Sequence, residues 1–197
     1  MTIITDVGLL KKLKSSKRQL FCMNDGNRNI EQLAGNLPTE DECFKFISLD
    51  GGFCSVNFIK HVANKEIIEE LTASTLRIGE KQFIYLSNLC KTGKLKKAAF
   101  FIGSIMKEDI KSDKYDYYTK FFEISKQYGW ESFVVNNHSK IILMRTANNH
   151  YVLETSSNLN DNPKIEQYSF ENSKELYDFY YDFFQVLKNV NIKNCRW

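Results

Sequence analysis

The stretch His138-Ser139-Lys140-Ile141-Ile142-Leu143-Met144 decides how the rest of the chain is read. A run of apolar residues behind a polar start predicts a buried strand over 139–144. Residues two apart on a strand share a face, so the His138 imidazole and the Lys140 ammonium point into the same space. A nucleophilic imidazole beside an ammonium suits attack on a phosphodiester, because the lysine neutralises the non-bridging oxygens. The other two histidines, His61 on a predicted helix and His150 at a turn, stand in no motif and read as structural or exposed.

Working outward, a turn through Ala147-Asn148-Asn149 leads to a second short strand over 151–155. Next come Ser156-Ser157-Asn158-Leu159-Asn160 and Asn162-Pro163-Lys164-Ile165-Glu166-Gln167. Hydroxyl, amide and carboxylate groups thus follow an apolar strand at a place where they can converge on His138. Glu166 then either accepts a hydrogen bond from the imidazole or, if Asn162-Pro163 opens a surface helix, points to solvent.

At this point the chain resembles the phospholipase D superfamily, whose pattern is His-x-Lys, an Asp, Gly-Ser-x-Asn and a later Glu. His138 and Lys140 match the opening, Ser156 and Asn158 match Ser-x-Asn, and Glu166 stands where the later Glu does. The resemblance implies an α/β fold, a mixed sheet sandwiched by helices. It also implies His138, Lys140 and Glu166 in catalysis, Ser156 and Asn158 on the phosphate, and no metal or other cofactor. In such enzymes two His-x-Lys motifs meet across a two-fold axis, one histidine forming a phosphohistidine and the other protonating the leaving oxygen. One copy of the motif therefore implies a homodimer with a composite site, similar to the small single-motif nucleases of the superfamily. Three features depart from the pattern. Arg145 stands at the expected Asp, Thr155 at the expected Gly, and the spacing from His138 to Ser156 is about three residues longer, a difference that a hairpin can absorb. Glu154 is a substitute carboxylate for the Asp.

Upstream, strand-like and helix-like patterns alternate, which predicts an α/β sandwich. Strands are expected over 44–49, 67–76, 97–105 and 130–135. Helices are expected from a Ser55 cap through His61, over 80–91 with Gly93 as its stop, and from Asp113 and Asp116 to Gly129. Asn172 with Glu175 resembles a capping box opening a last aromatic helix to about Val190. The aromatics of that helix cover most of its circumference, which suits a core helix or a dimer seam better than base stacking. Residues 1–42 read as a basic N-terminal segment that packs on or extends the domain, and 43–197 as the phospholipase D-like domain.

The composition fits this reading. The 197 residues are 43% hydrophobic and 14% aromatic, with two prolines, which excludes a disordered tail, a collagen-like repeat and a coiled coil. Five cysteines without a Cys-x-x-Cys unit give no zinc site and read as reduced thiols, so a cytoplasmic location is expected. The longest apolar run, 98–106, is broken by Gly103 and Ser104 and is far too short to span a membrane. The net charge of +3 is too small for a general nucleic-acid coat, so clustering matters more. Lys11, Lys12, Lys14, Lys17 and Arg18 form one basic cluster, and Lys91, Lys94, Lys96 and Lys97 another; each reads as a phosphate-facing patch or a solvated face. The expected function is a metal-independent phosphodiesterase acting on DNA or RNA. The alternatives are a catalytically impaired module that binds nucleic acid or protein, and an unrelated α/β domain.

Overall fold

Strand β2 (Glu42–Ser48) alternates buried Phe44 and Phe46 with Lys45 and Ile47, the period of two that gives a sheet two distinct faces. The computed structural model describes residues 18–24, 30–40, 42–49, 53–108, 117–161 and 164–194. Within them the other strands are β1 (Arg18–Asn24), β3 (Glu70–Thr75), β4 (Ala98–Gly103), β5 (Glu131–Val135), β6 (Ile141–Arg145), β7 (His150–Thr155) and β8 (Glu166–Asn172). The helices are α1 (Ile30–Ala34), α2 (Ser55–Lys65), α3 (Glu80–Lys91), α4 (Ile105–Glu108), α5 (Tyr117–Tyr128) and α6 (Lys174–Asn194).

All eight strands form one mixed sheet in the order β1-β2-β8-β7-β6-β3-β4-β5. Strands β1 and β2 pair in parallel, as do β3, β4 and β5, while β6 and β8 run against their neighbours. The carboxyl ends of β1, β2, β3, β4, β5 and β7 therefore reach the same edge as the starts of β6 and β8. That edge carries every residue of the resemblance except Arg145.

One sheet face holds the main core, where Phe58 on α2, Phe83 on α3 and Phe121 on α5 pack against Phe46, Phe100 and Phe170 of the sheet. Each fully buried phenylalanine contributes roughly 2–3 kcal/mol. The other face packs Phe101, Leu143 and Val152 against Tyr177 and Phe184 of α6. Phe179, Phe183, Val186 and Val190 stay exposed on α6, so its aromatics divide between core and solvent.

Several local expectations are refined. Helix α2 is capped by Cys54, whose N–H donates to Asn57 Oδ1 at 2.9 Å; Ser55 is the first helical residue, and its hydroxyl donates to the Ser157 carbonyl at 3.0 Å. Ser173, not Asn172, caps α6, its Oγ accepting from Leu176 N at 3.3 Å, because Asn172 is still paired in β8. Gly93 and Gly129 take φ of +70° and +65° after α3 and α5, as helix-ending glycines do. Asp113 and Asp116 and the basic residues Lys11, Lys12, Lys14 and Lys17 lie outside the described residues. The second basic cluster lies between α3 and the start of β4, at the sheet edge opposite the motif residues.

At that opposite edge Glu66 ties the β6–β7 hairpin to the end of α2. It accepts from Thr146 Oγ1 at 2.5 Å, Tyr151 Oη at 2.7 Å and Asn149 Nδ2 at 3.0 Å. Burial raises the carboxyl pKa, but these donors outweigh it and hold it below its ordinary 4.5. A depressed folded pKa stabilises the fold above the unfolded value, and the effect is lost as pH falls through the folded value. Glu66→Gln should cost about 2 kcal/mol in urea unfolding near pH 7. The gap between variant and parent should close as the pH is lowered below the carboxylate range.

Candidate active site

His138 and Lys140 lie just before β6, where the chain comes off a polar turn. Asn137 makes that turn: its Oδ1 accepts from Ser139 N at 2.8 Å, and its Nδ2 donates to Ser74 Oγ at 2.8 Å and the Phe101 carbonyl at 3.1 Å. Gly103 allows the approach of the neighbouring loops, since a Cβ there would sit 2.7 Å from the Leu76 carbonyl oxygen and 3.2 Å from that of Asn137. On this base the Lys140 ammonium stands 3.1 Å from His138 Nδ1 and donates to the His138 carbonyl at 2.6 Å. The imidazole is exposed and Lys140 half-buried. Burial holds the Lys140 ammonium below the usual lysine range, and the Glu166 carboxylate pulls it back up.

Ser156, Asn158 and Glu166 reach the same edge from β7 and β8. Ser156 Oγ donates to Glu166, which is buried at the start of β8, and accepts from Gln167 N at 3.0 Å. The surface-helix alternative for this segment is thereby replaced by a strand, because Tyr168 and Phe170 alternate into the core. Lys140 is the neighbour of His138 Nδ1, and Glu166 holds Ser156. Asn158 turns to the end of β3, where its Oδ1 accepts from Leu76 N at 3.3 Å and Thr75 Oγ1 at 3.5 Å. Thr75 Oγ1 in turn accepts from Leu159 N at 3.1 Å. Asn158 therefore braces the loop over 156–161.

Thr155, at the expected glycine, closes the turn with its own hydroxyl, accepting from Ser157 N at 2.9 Å and donating to the Gln167 carbonyl at 2.9 Å. Arg145, at the expected Asp, ends β6 about 16 Å along the strand from Lys140. There it pairs with Glu70 at 3.0 Å. Glu154 lies at the site edge but accepts from the Tyr180 hydroxyl of α6. Among the described residues no group of three or more His, Cys, Asp or Glu is placed to hold a metal ion.

No protein-family model matches the chain, and no curated protein matches its sequence. Solved structures do match its fold. The fold is of the phospholipase D type, an α/β architecture with a mixed sheet. A phospholipase D family member, Nuc from Salmonella typhimurium, superposes with a TM-score of 0.52 at 13% identity, covering 75% of this chain and 93% of that one. Polyphosphate kinase from Porphyromonas gingivalis gives 0.54 at 14% identity, covering 75% of this chain and 24% of the kinase. No helix among the described residues is long and apolar enough to cross a membrane.

The residues that sequence reading missed are Thr75, Asn137 and Ser139, which position the loops around the site. Thr75→Val keeps the shape and removes the hydroxyl, leaving the buried Leu159 N–H without its acceptor. It should cost about 1–3 kcal/mol in denaturant unfolding. An unchanged midpoint would show that the loop does not depend on this contact.

Proposed function

We propose that the chain is a metal-independent phosphodiesterase, acting on nucleic acid through a phosphohistidine at a homodimer interface. The observation that carries this reading is the pairing of an exposed His138 imidazole with the Lys140 ammonium at the carboxyl edge of the sheet. That edge is where open α/β sheets hold ligands. The fold likeness to Nuc, over nearly all of that chain, supports it.

The chemistry follows from the ring. While Lys140 donates to Nδ1, a neutral imidazole carries its proton on Nε2. A phosphodiester draws Lys140 to a non-bridging oxygen; the ring proton then moves to Nδ1 and frees the Nε2 lone pair. An N–P bond forms as the P–O bond to the leaving group breaks, and the imidazole of a second copy gives that oxygen its proton. Water then attacks phosphorus, the second imidazole takes its proton, and the N–P bond breaks. Lys140 holds the oxygens on which charge develops. The polar groups at that edge favour a nucleic acid over a lipid. A second reading, a binding module without turnover, draws on one observation: the Glu166 carboxylate is engaged by Ser156.

Cleavage of a labelled oligonucleotide in excess chelator tests the proposal. Activity should persist in chelator and fall by about 10²–10⁴-fold in both His138→Ala and Lys140→Gln. Activity that requires Mg²⁺ or survives His138→Ala would overturn it, and binding without cleavage would favour the second reading. Light scattering should give a dimer at micromolar concentration; a 23.1 kDa monomer that still cleaves would remove the composite site.

A further inference from the structure

The loop over 156–161 does not end at the proposed phosphate site. Two or three residues past Asn158, a span of at most about 7–10 Å, Asn160 and Asp161 line a cavity of about 580 Å³ between the end of β3, the start of α3 and the start of α5. That volume is in the usual range for a small-molecule site, roughly 300–1,000 Å³. Its position is fixed by backbone contacts: Ile78 bridges to Leu159, and Gly79 N donates to the Leu159 carbonyl at 2.8 Å. The loop that carries Ser156 and Asn158 at the motif edge therefore also supplies two walls of this cavity.

The lining is of two kinds. Ile84 on α3 is 43% exposed, and it faces the cavity with Met106 and the Tyr117 ring. An aromatic ring with aliphatic and thioether neighbours forms a slot for a flat π-system. The polar part carries both signs, with Glu80 among the charged side chains, and presents acceptors at Asn160 and Asp161. Gln82 is buried beneath the start of α3 and donates through Nε2 to Asp161 at 2.8 Å, fixing that carboxylate at the wall. Asn160 Oδ1 is buried and, among the described residues, accepts from no group. A buried acceptor without a donor carries a desolvation cost that a ligand N–H would relieve. Arg77 and Lys81 bring positive charge to the same cavity.

We propose that this cavity holds the unpaired base of the nucleotide next to the scissile phosphate, and that it selects bases by their N–H donors. Tyr117 stacks on the ring, while Asn160 Oδ1 and Asp161 accept from the base edge. Guanine, with adjacent imino and amino donors, fits best. Adenine and cytosine offer one amino group, and uracil a single N–H between two carbonyls. The inference rests on the proposed phosphodiesterase reading for its placement beside a scissile phosphate. The base pocket itself can be tested without turnover.

Binding of the four ribonucleoside 5′-monophosphates to the full chain, by calorimetry, provides the test, since none contains a phosphodiester. The guanosine monophosphate should bind at least tenfold more tightly than the uridine one. Tyr117→Ala should weaken all four by about tenfold, whereas Tyr117→Phe keeps the ring and the affinity. Asn160→Ala and the conservative Asp161→Asn should reduce the guanine preference to within about twofold. Equal binding of the four bases, no binding at millimolar nucleotide, or affinities unchanged in folded variants would overturn the proposal. Oligonucleotide cleavage without mononucleotide binding would remove the pocket and leave the catalytic reading standing. Base-selective binding without cleavage would do the reverse.

Discussion

The Thr75 hydroxyl and the Asn158 amide join the end of β3 to the loop that follows β7, two segments more than 80 residues apart in sequence. That contact works with the buried Leu159 side chain, its bridge to Ile78 and the Gly79 N to Leu159 carbonyl hydrogen bond to lay the loop over 156–161 across the sheet edge. With it, Ser156 is held against the start of β8, and Asn160 and Asp161 are carried to the cavity beside α3. Both proposed ligand sites thus depend on one small set of hydrogen bonds. The Leu159 N to Thr75 Oγ1 bond is buried, where removing either partner costs more than the bond is worth in water.

Strand direction supplies the second constraint. Because β6 and β8 run against the others, the chain re-enters the sheet at the edge where the parallel strands leave it. The His-x-Lys turn and Glu166 both stand at such re-entry points. A parallel-only sheet would have placed those segments at its other end. The packed face stays the same along the whole length, with Phe46, Phe100 and Phe170 under α2, α3 and α5, so the edge is chemically specialised while the core is not.

Much of this was legible in the chain. The apolar run behind His138 and the Asn-rich turn after it read as a hairpin, and the structure has β6 and β7 there. Gly93 and Gly129 marked helix ends because a left-handed residue after a helix is most easily glycine. Strand β8 is not legible as a strand, although Tyr168 and Phe170 alternate correctly, because Asn162-Pro163 just before it admits a helix start as well. At the site, short-range spacing foretold that His138 and Lys140 would share a face, and they lie 3.1 Å apart. Spacing could not place Glu166 on Ser156, or Asn158 on Thr75, since those partners are set by strand order. Arg145 shows the same limit. Counting five residues from Lys140 carries the position to the far end of β6, where Glu70 awaits it.

If His138 is the nucleophile, turnover passes through a covalent phosphoryl adduct on its imidazole. Reaction with an oligonucleotide, a denaturing quench at alkaline pH and peptide mass spectrometry should locate a phosphoryl-linked adduct on His138. A phosphoramidate there would be stable to base and lost in acid. The adduct is expected in the parent protein, in chelator, and is expected to be absent from His138→Ala. Full turnover in the parent with no adduct, or an adduct on another residue, would contradict it.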